Sequence, residues 1–121
     1  MKSKPTLVIG ASENPARYSF KAINMLRNQQ QPVQAFGIKK GQVADVPFET
    51  TFPTSGVFDT VTLYINPQIQ SEYQDAILAL KPKRVIFNPG TENDSFQKML
   101  AQNGIEALEA CTLVLLQTGQ Y

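Results

Sequence analysis

A chain of 121 residues with 42% hydrophobic side chains is long enough to bury a core, and this composition argues against wholesale disorder. Its formal charge is only +1, so nothing in the overall balance draws it to nucleic acid or a membrane surface, and any anion site has to be local. Histidine is absent and Cys111 is the single cysteine, which excludes an intrachain disulfide, a histidine base and histidine metal ligands, and no metal site is expected.

Lys2 and Lys4 are not followed by an apolar stretch of signal-peptide length, and residues 113–116 are too few to span a bilayer, so a cytoplasmic location is expected. Residues 6–9 read as a strand apolar enough to be buried on both faces. Gly10-Ala11-Ser12 then turns the chain, and Phe20, Ile23 and Leu26 recur at helical spacing to about residue 28. A strand–turn–helix junction offers backbone N–H groups and the positive end of a helix dipole, which suits a phosphate. Gly10 permits the turn, Ser12 and Ser19 bring hydroxyls, and Arg17 can fork onto phosphate oxygens. The same residues also fit an ordinary connection with a serine cap and a solvated arginine.

Residues 33–38 form the second expected strand, which runs into Lys39-Lys40-Gly41. Residues 42–57, with Pro47, Pro53 and Gly56, read as an irregular loop with short extended pieces. The third strand covers residues 60–65, rich in β-branched and aromatic side chains. Asn66-Pro67 opens a helix with Tyr73, Ile77 and Leu80 along one face, ended by Pro82. A fourth strand at 84–87 leaves through Asn88-Pro89-Gly90-Thr91-Glu92-Asn93; the next helix carries Phe96, Met99 and Leu100 and stops at Asn103-Gly104. Residues 105–108 make a fifth strand, and 110–116 lean toward a final helix.

Strands alternating with helices predict an α/β fold: a Rossmann-like, doubly wound parallel sheet of five strands in the order 3-2-1-4-5, with helices on both faces. Ligands of such sheets sit outside the carboxyl ends of the strands, where the winding reverses. The Gly10 turn, the Lys39 loop, the Asn66-Pro67 turn and the loop at 88–93 converge there. Gly10-Ala11-Ser12 has one glycine where the dinucleotide fingerprint has three, which weakens a standard NAD site. Lys39 and Lys40 stand where NAD-binding folds place an acid on the ribose, and two ammonium groups suit a phosphorylated ribose such as those of NADP and coenzyme A; solvated surface lysines fit equally. Asn66-Pro67 and Asn88-Pro89-Gly90 can expose backbone to a nucleotide or are turn chemistry alone. Cys111 has no histidine to activate it and reads as a small buried hydrophobe.

Together, Val8-Ile9-Gly10-Ala11-Ser12 with Asn14-Pro15-Ala16-Arg17-Tyr18-Ser19, the strand ending before Lys39-Lys40, the Ile65-Asn66-Pro67 turn, the glycine-containing loop at 88–93 and Glu109-Ala110-Cys111-Thr112 give the chain a family resemblance over nearly its whole length. It resembles the small single-domain CoA-binding proteins, whose fold is shared with the N-terminal domain of the succinyl-CoA synthetase alpha subunit. The resemblance implies one domain over residues 1–121 that binds CoA or an acyl-CoA. Ser12, Arg17 and Ser19 would lie by the diphosphate, Lys39 and Lys40 by the 3′-phosphate, and Asn66, Pro67, Pro89 and Gly90 beside the rest of the nucleotide. The synthetase chemistry is not implied, since its relay histidine and second domain have no counterpart here. A non-catalytic module for a small-molecule nucleotide is therefore expected, binding neither nucleic acid nor membrane, with a protein partner or homo-oligomer left open. The competing readings are an NADP-linked oxidoreductase or another nucleotide-dependent enzyme, and a structural or interaction module with no nucleotide ligand. A receiver-type domain is disfavoured, because Glu13 alone stands where an acidic cluster would be needed.

Overall fold

A computed structural model describes residues 2–121. Strands β1 (Thr6–Ile9), β2 (Val33–Phe36), β3 (Gly41–Val43), β4 (Val46–Glu49), β5 (Thr60–Leu63), β6 (Arg84–Phe87) and β7 (Glu106–Glu109) form a seven-stranded sheet in the order β3-β4-β2-β1-β5-β6-β7. Every neighbouring pair is parallel except β3–β4. Helices α1 (Tyr18–Asn28), α2 (Pro67–Gln70), α3 (Gln74–Leu80), α4 (Asp94–Gln102) and α5 (Thr112–Gln117) cover it.

The central strands β1, β5 and β6 are buried at every position, and all their residues but Arg84 are apolar or β-branched. Alternate side chains feed two cores. Leu7, Ile9, Val61, Leu63, Val85 and Phe87 pack with Ile77 of α3 and with Phe96 and Leu100 of α4 on one face. Val8, Ala35 and Ile86 pack with Ile23 and Leu26 of α1 and Leu116 of α5 on the other. The buried stripe of α1, Ser19, Ala22, Ile23 and Leu26, follows helical periodicity, and each fully buried leucine or isoleucine contributes about 1.5–3 kcal/mol. The crossover from β1 to β2 thus runs over one face, while those from β5 to β6 and from β6 to β7 run over the other. The winding reverses between β1 and β5.

The expected class holds, and the strand count and order are corrected. Residues 42–57 are not merely irregular: they contain most of the β3–β4 hairpin, turned at Ala44 (φ 54°) and Asp45. β3 carries the chain back down the edge of the sheet, so that β4 enters parallel to β2 with no helix in the crossover. Pro47 is tolerated inside β4 because the pairing with β2 involves only Phe48 and Glu49. Of the five strands expected, the third lies directly against β1, so their order is 2-1-3-4-5, and β4 takes the place outside β2.

The helix expected after Asn66-Pro67 is also divided. Gln70, wholly buried, donates to the carbonyls of Ile65 (2.9 Å) and Thr91 (2.7 Å), holding α2 down on the loops before α3 begins. At the amino edge of the sheet, Arg84 donates from Nε to Thr60 Oγ1 and from Nη2 to the carbonyl of Tyr121, both at 2.7 Å. Its guanidinium lies 4.5 Å from the centroid of the Tyr121 ring. This polar cluster lies at the amino edge, opposite the loops described next. No helix among the described residues is long and apolar enough to cross a membrane.

Candidate functional site at the carboxyl edge of the sheet

All the residues singled out in the sequence follow the carboxyl ends of β2, β1, β5 and β6, four adjacent strands, or open α1 beside them. Three interstrand gaps separate the outermost of these loops, roughly 14 Å in all. At the reversal itself, Gly10 has φ 100°, and a Cβ there would stand 2.9 Å from the Tyr64 carbonyl oxygen, so only glycine lets β1 turn against the end of β5.

The turn does not leave its first two N–H groups open. Gly10 and Ala11 both donate to the Phe36 carbonyl at 2.9 Å, and Ala11 is buried, so these two residues shape the loop. Donors appear further on. Ser12 Oγ accepts from Asn14 N at 3.1 Å, which leaves its own proton for another acceptor. Asn14 Oδ1 accepts from Ala16 N at 3.0 Å and bends the chain into α1. Arg17 is the N-cap of α1 and makes no side-chain cap, and the first turn contains no acid. The opening N–H groups of this helix therefore have no side-chain acceptor, while the exposed Arg17 stands beside them. Ser19 is only 3% exposed and belongs to the buried stripe of α1, so it lies deeper than a residue reaching into solvent for a phosphate.

β2 ends at Phe36, two residues earlier than expected, and Gly37, Ile38, Lys39 and Lys40 form the turn into β3. Both lysines are exposed. Lys40 Nζ stands 3.9 Å from Glu49 Oε1, a loose surface pair. Asn66 is the N-cap of α2 and accepts from Ile69 N at 2.9 Å, with Pro67 at the first helical position. Pro89 and Gly90 are exposed; Gly90 N donates to Glu92 Oε1 at 2.8 Å, and the space where its Cβ would stand is empty to 4 Å.

Three residues that sequence reasoning did not assign hold these loops in place. Asn88, 2% exposed, donates to Thr62 Oγ1 (2.7 Å) and the Leu63 carbonyl (2.8 Å) and accepts from Thr112 N (2.9 Å), joining β5, β6 and α5. Gln70 ties the β5 and β6 exits together, and its Oε1 accepts from Asn93 Nδ2 at 2.9 Å. Glu13 Oε2 accepts from Gln42 N at 3.0 Å. None of these roles can be read from spacing, because each depends on which strands are neighbours. Cys111, half-buried, is the N-cap of α5. Burial pushes the Tyr64 phenol well above the ordinary tyrosine range.

Two shallow grooves lie away from this edge. One, ≈ 380 Å³, runs between α4 and β7 and carries a single cation, Lys98; the other, ≈ 240 Å³, lies at the amino edge beside Pro5, Pro32 and Phe58 and has none. The first does not bring loops from several parallel strands together; the second gathers the segments that enter β1, β2 and β5 but offers no positive charge to an anion.

A doubly wound sheet with a glycine turn and an uncapped helix start at its reversal point is a Rossmann-like α/β architecture. The chain belongs to the CoA binding domain family, which it matches over residues 4–117. A crystal structure of an uncharacterised protein is 44% identical, with each chain covered over 100% of its length and a TM-score of 0.95. A hypothetical protein from Pyrococcus horikoshii OT3 is 20% identical, covers 97% of this chain and 84% of its own, and superposes with a TM-score of 0.85. A Thermus thermophilus structure is 19% identical over 98% of this chain and 91% of its own, with a TM-score of 0.82. The last two likenesses speak to the fold alone. No curated protein matches the chain.

Proposed function

We propose that this protein binds coenzyme A or an acyl-CoA across the carboxyl edge of its sheet and acts as a single-domain, non-catalytic binding module. The observation that carries this reading is the placing of Arg17, Lys39 and Lys40 on the loops that leave the adjacent strands β1 and β2, the first of them at the reversal point, in a chain of the CoA binding domain family. The residues fit the group. The unpaired opening N–H groups of α1, the Ser12 hydroxyl and Arg17 suit a diphosphate; Lys39 and Lys40 suit the phosphate of a phosphorylated ribose; the open space at Gly90 and the Asn66-Pro67 turn suit the remainder of the nucleotide. Gly10 and Ala11 contribute the shape of the loop, and Ser19 supports it from below.

An NADP-linked enzyme needs the same phosphate contacts, so the test compares ligands directly. Purified, ligand-stripped protein is titrated with CoA, dephospho-CoA and NADP by calorimetry and thermal shift. CoA at about a hundred times its dissociation constant should stabilise the fold by roughly 2.7 kcal/mol, with weaker binding of dephospho-CoA. Arg17→Ala should weaken CoA binding by about 1.5–3 kcal/mol while the melting temperature of the free protein stays the same. Preference for NADP would transfer the site to a reductase, and silence with all three ligands would remove the nucleotide reading.

A further inference from the structure

We infer that Glu13 is a positioning residue that fixes the Lys39–Lys40 turn against the loop between β1 and α1, and thereby sets how strongly the protein discriminates for a phosphate on its ligand's ribose; this rests on the CoA reading above. A carboxylate exposed in an anion-binding loop works against its ligand, which makes its use elsewhere informative. Glu13 Oε2 accepts the N–H of Gln42 at 3.0 Å. Its stem lies across Gly41, where a Cβ would fall 2.8 Å from both Cγ and Cδ of Glu13 and 2.8 Å from Cζ of the buried Phe48. Position 41 therefore has room for glycine alone as long as Glu13 stays there.

The other side of the turn is held by main chain. Gly10 and Ala11 donate to the Phe36 carbonyl, and a Cβ on Gly37 would stand 2.6 Å from the Ala11 carbonyl oxygen. Lys39 and Lys40 thus sit between two anchors on the same loop, at residues 36–37 and 41–42. The second anchor pairs with β4 through Gly41–Phe48 and Gln42–Pro47, and among the described residues Glu13 gives it a side-chain bond to the loop between β1 and α1. The Lys40–Glu49 contact adds little, since at 3.9 Å its side chains are 80% and 63% exposed. A lysine on a loosened turn would have to be ordered by the ligand, and that entropy is lost from the affinity.

The test measures CoA and dephospho-CoA affinity for wild type, Glu13→Ala and Glu13→Gln, together with exchange of the Gln42 amide by NMR. Glu13→Ala should reduce the preference for CoA over dephospho-CoA by about tenfold, the scale of one hydrogen bond to a charged group, and should speed exchange at Gln42. Glu13→Gln removes the charge but keeps a carbonyl acceptor, and should retain both the preference and the slow exchange. A preference in Glu13→Ala equal to that of wild type would overturn the inference, even if both affinities rise or fall together. So would unchanged exchange at Gln42. A wild-type protein that binds neither ligand would instead overturn the CoA reading, and the specificity role with it.

Discussion

Arg17 and Tyr64 show two kinds of legibility at the scale of single residues. The place of Arg17 was readable because it is local: it lies seven positions after Gly10 and immediately before α1, wherever the rest of the chain goes. Glu13, Gly37 and Gly41 were not readable, because what they do depends on a strand pairing that brings residues 10–13 against 36–42. Tyr64 belongs to this second kind. Its hydroxyl is buried beside the hydroxyls of Thr62 and Thr112, which bond each other at 2.8 Å, and it makes no hydrogen bond of good geometry of its own. Removing a buried hydroxyl that makes no well-formed hydrogen bond costs little, so Tyr64→Phe should leave stability unchanged or raise it by about 1 kcal/mol in urea unfolding. A clear loss of stability would mean that the hydroxyl has a partner in solution.

At the scale of elements, the strands buried on both faces and the amphipathic helices α1 and α4 were legible from periodicity, because burial and sequence pattern coincide there. The β3–β4 hairpin was hidden by Pro47 and by its short strands, and the division between α2 and α3 by the reach of Gln70 into two loops. The hairpin is tied to α1 by Arg27, which donates from Nε and Nη2 to the two Asp45 carboxylate oxygens, both at 2.8 Å. That hydrogen bonding holds the Asp45 carboxyl below its usual range. A carboxyl whose value is lower in the folded state contributes stability above its unfolded value and loses it as pH falls through the lowered one. The hairpin amides around Ala44 should therefore exchange faster as the pH drops into that range, and Asp45→Asn should abolish this acid-side change. Both side chains are at the surface, so global stability should move little. An identical acid response in Asp45→Asn would show that the pair does not restrain the hairpin.

At the scale of the whole molecule, the alternation of strand and helix was enough to predict a doubly wound sheet, and with it the expectation of a ligand at the carboxyl edge. The order of the strands was out of reach, since it depends on a crossover made by β3, an element with no helical signature. The four loops expected to converge nevertheless do so, because all of them follow parallel neighbours in the block β2-β1-β5-β6. The amino edge carries the hydrogen-bonded cluster of Arg84, Thr60 and Tyr121, which leaves the two edges of the sheet chemically distinct. The most direct test of CoA binding at the carboxyl edge is a titration of isotopically labelled protein with CoA, followed by amide chemical shifts. The account predicts that the perturbed amides cluster at residues 10–19, 37–42, 64–67 and 88–91. Perturbations confined to the amino edge or to the groove between α4 and β7, with these loops silent, would contradict it.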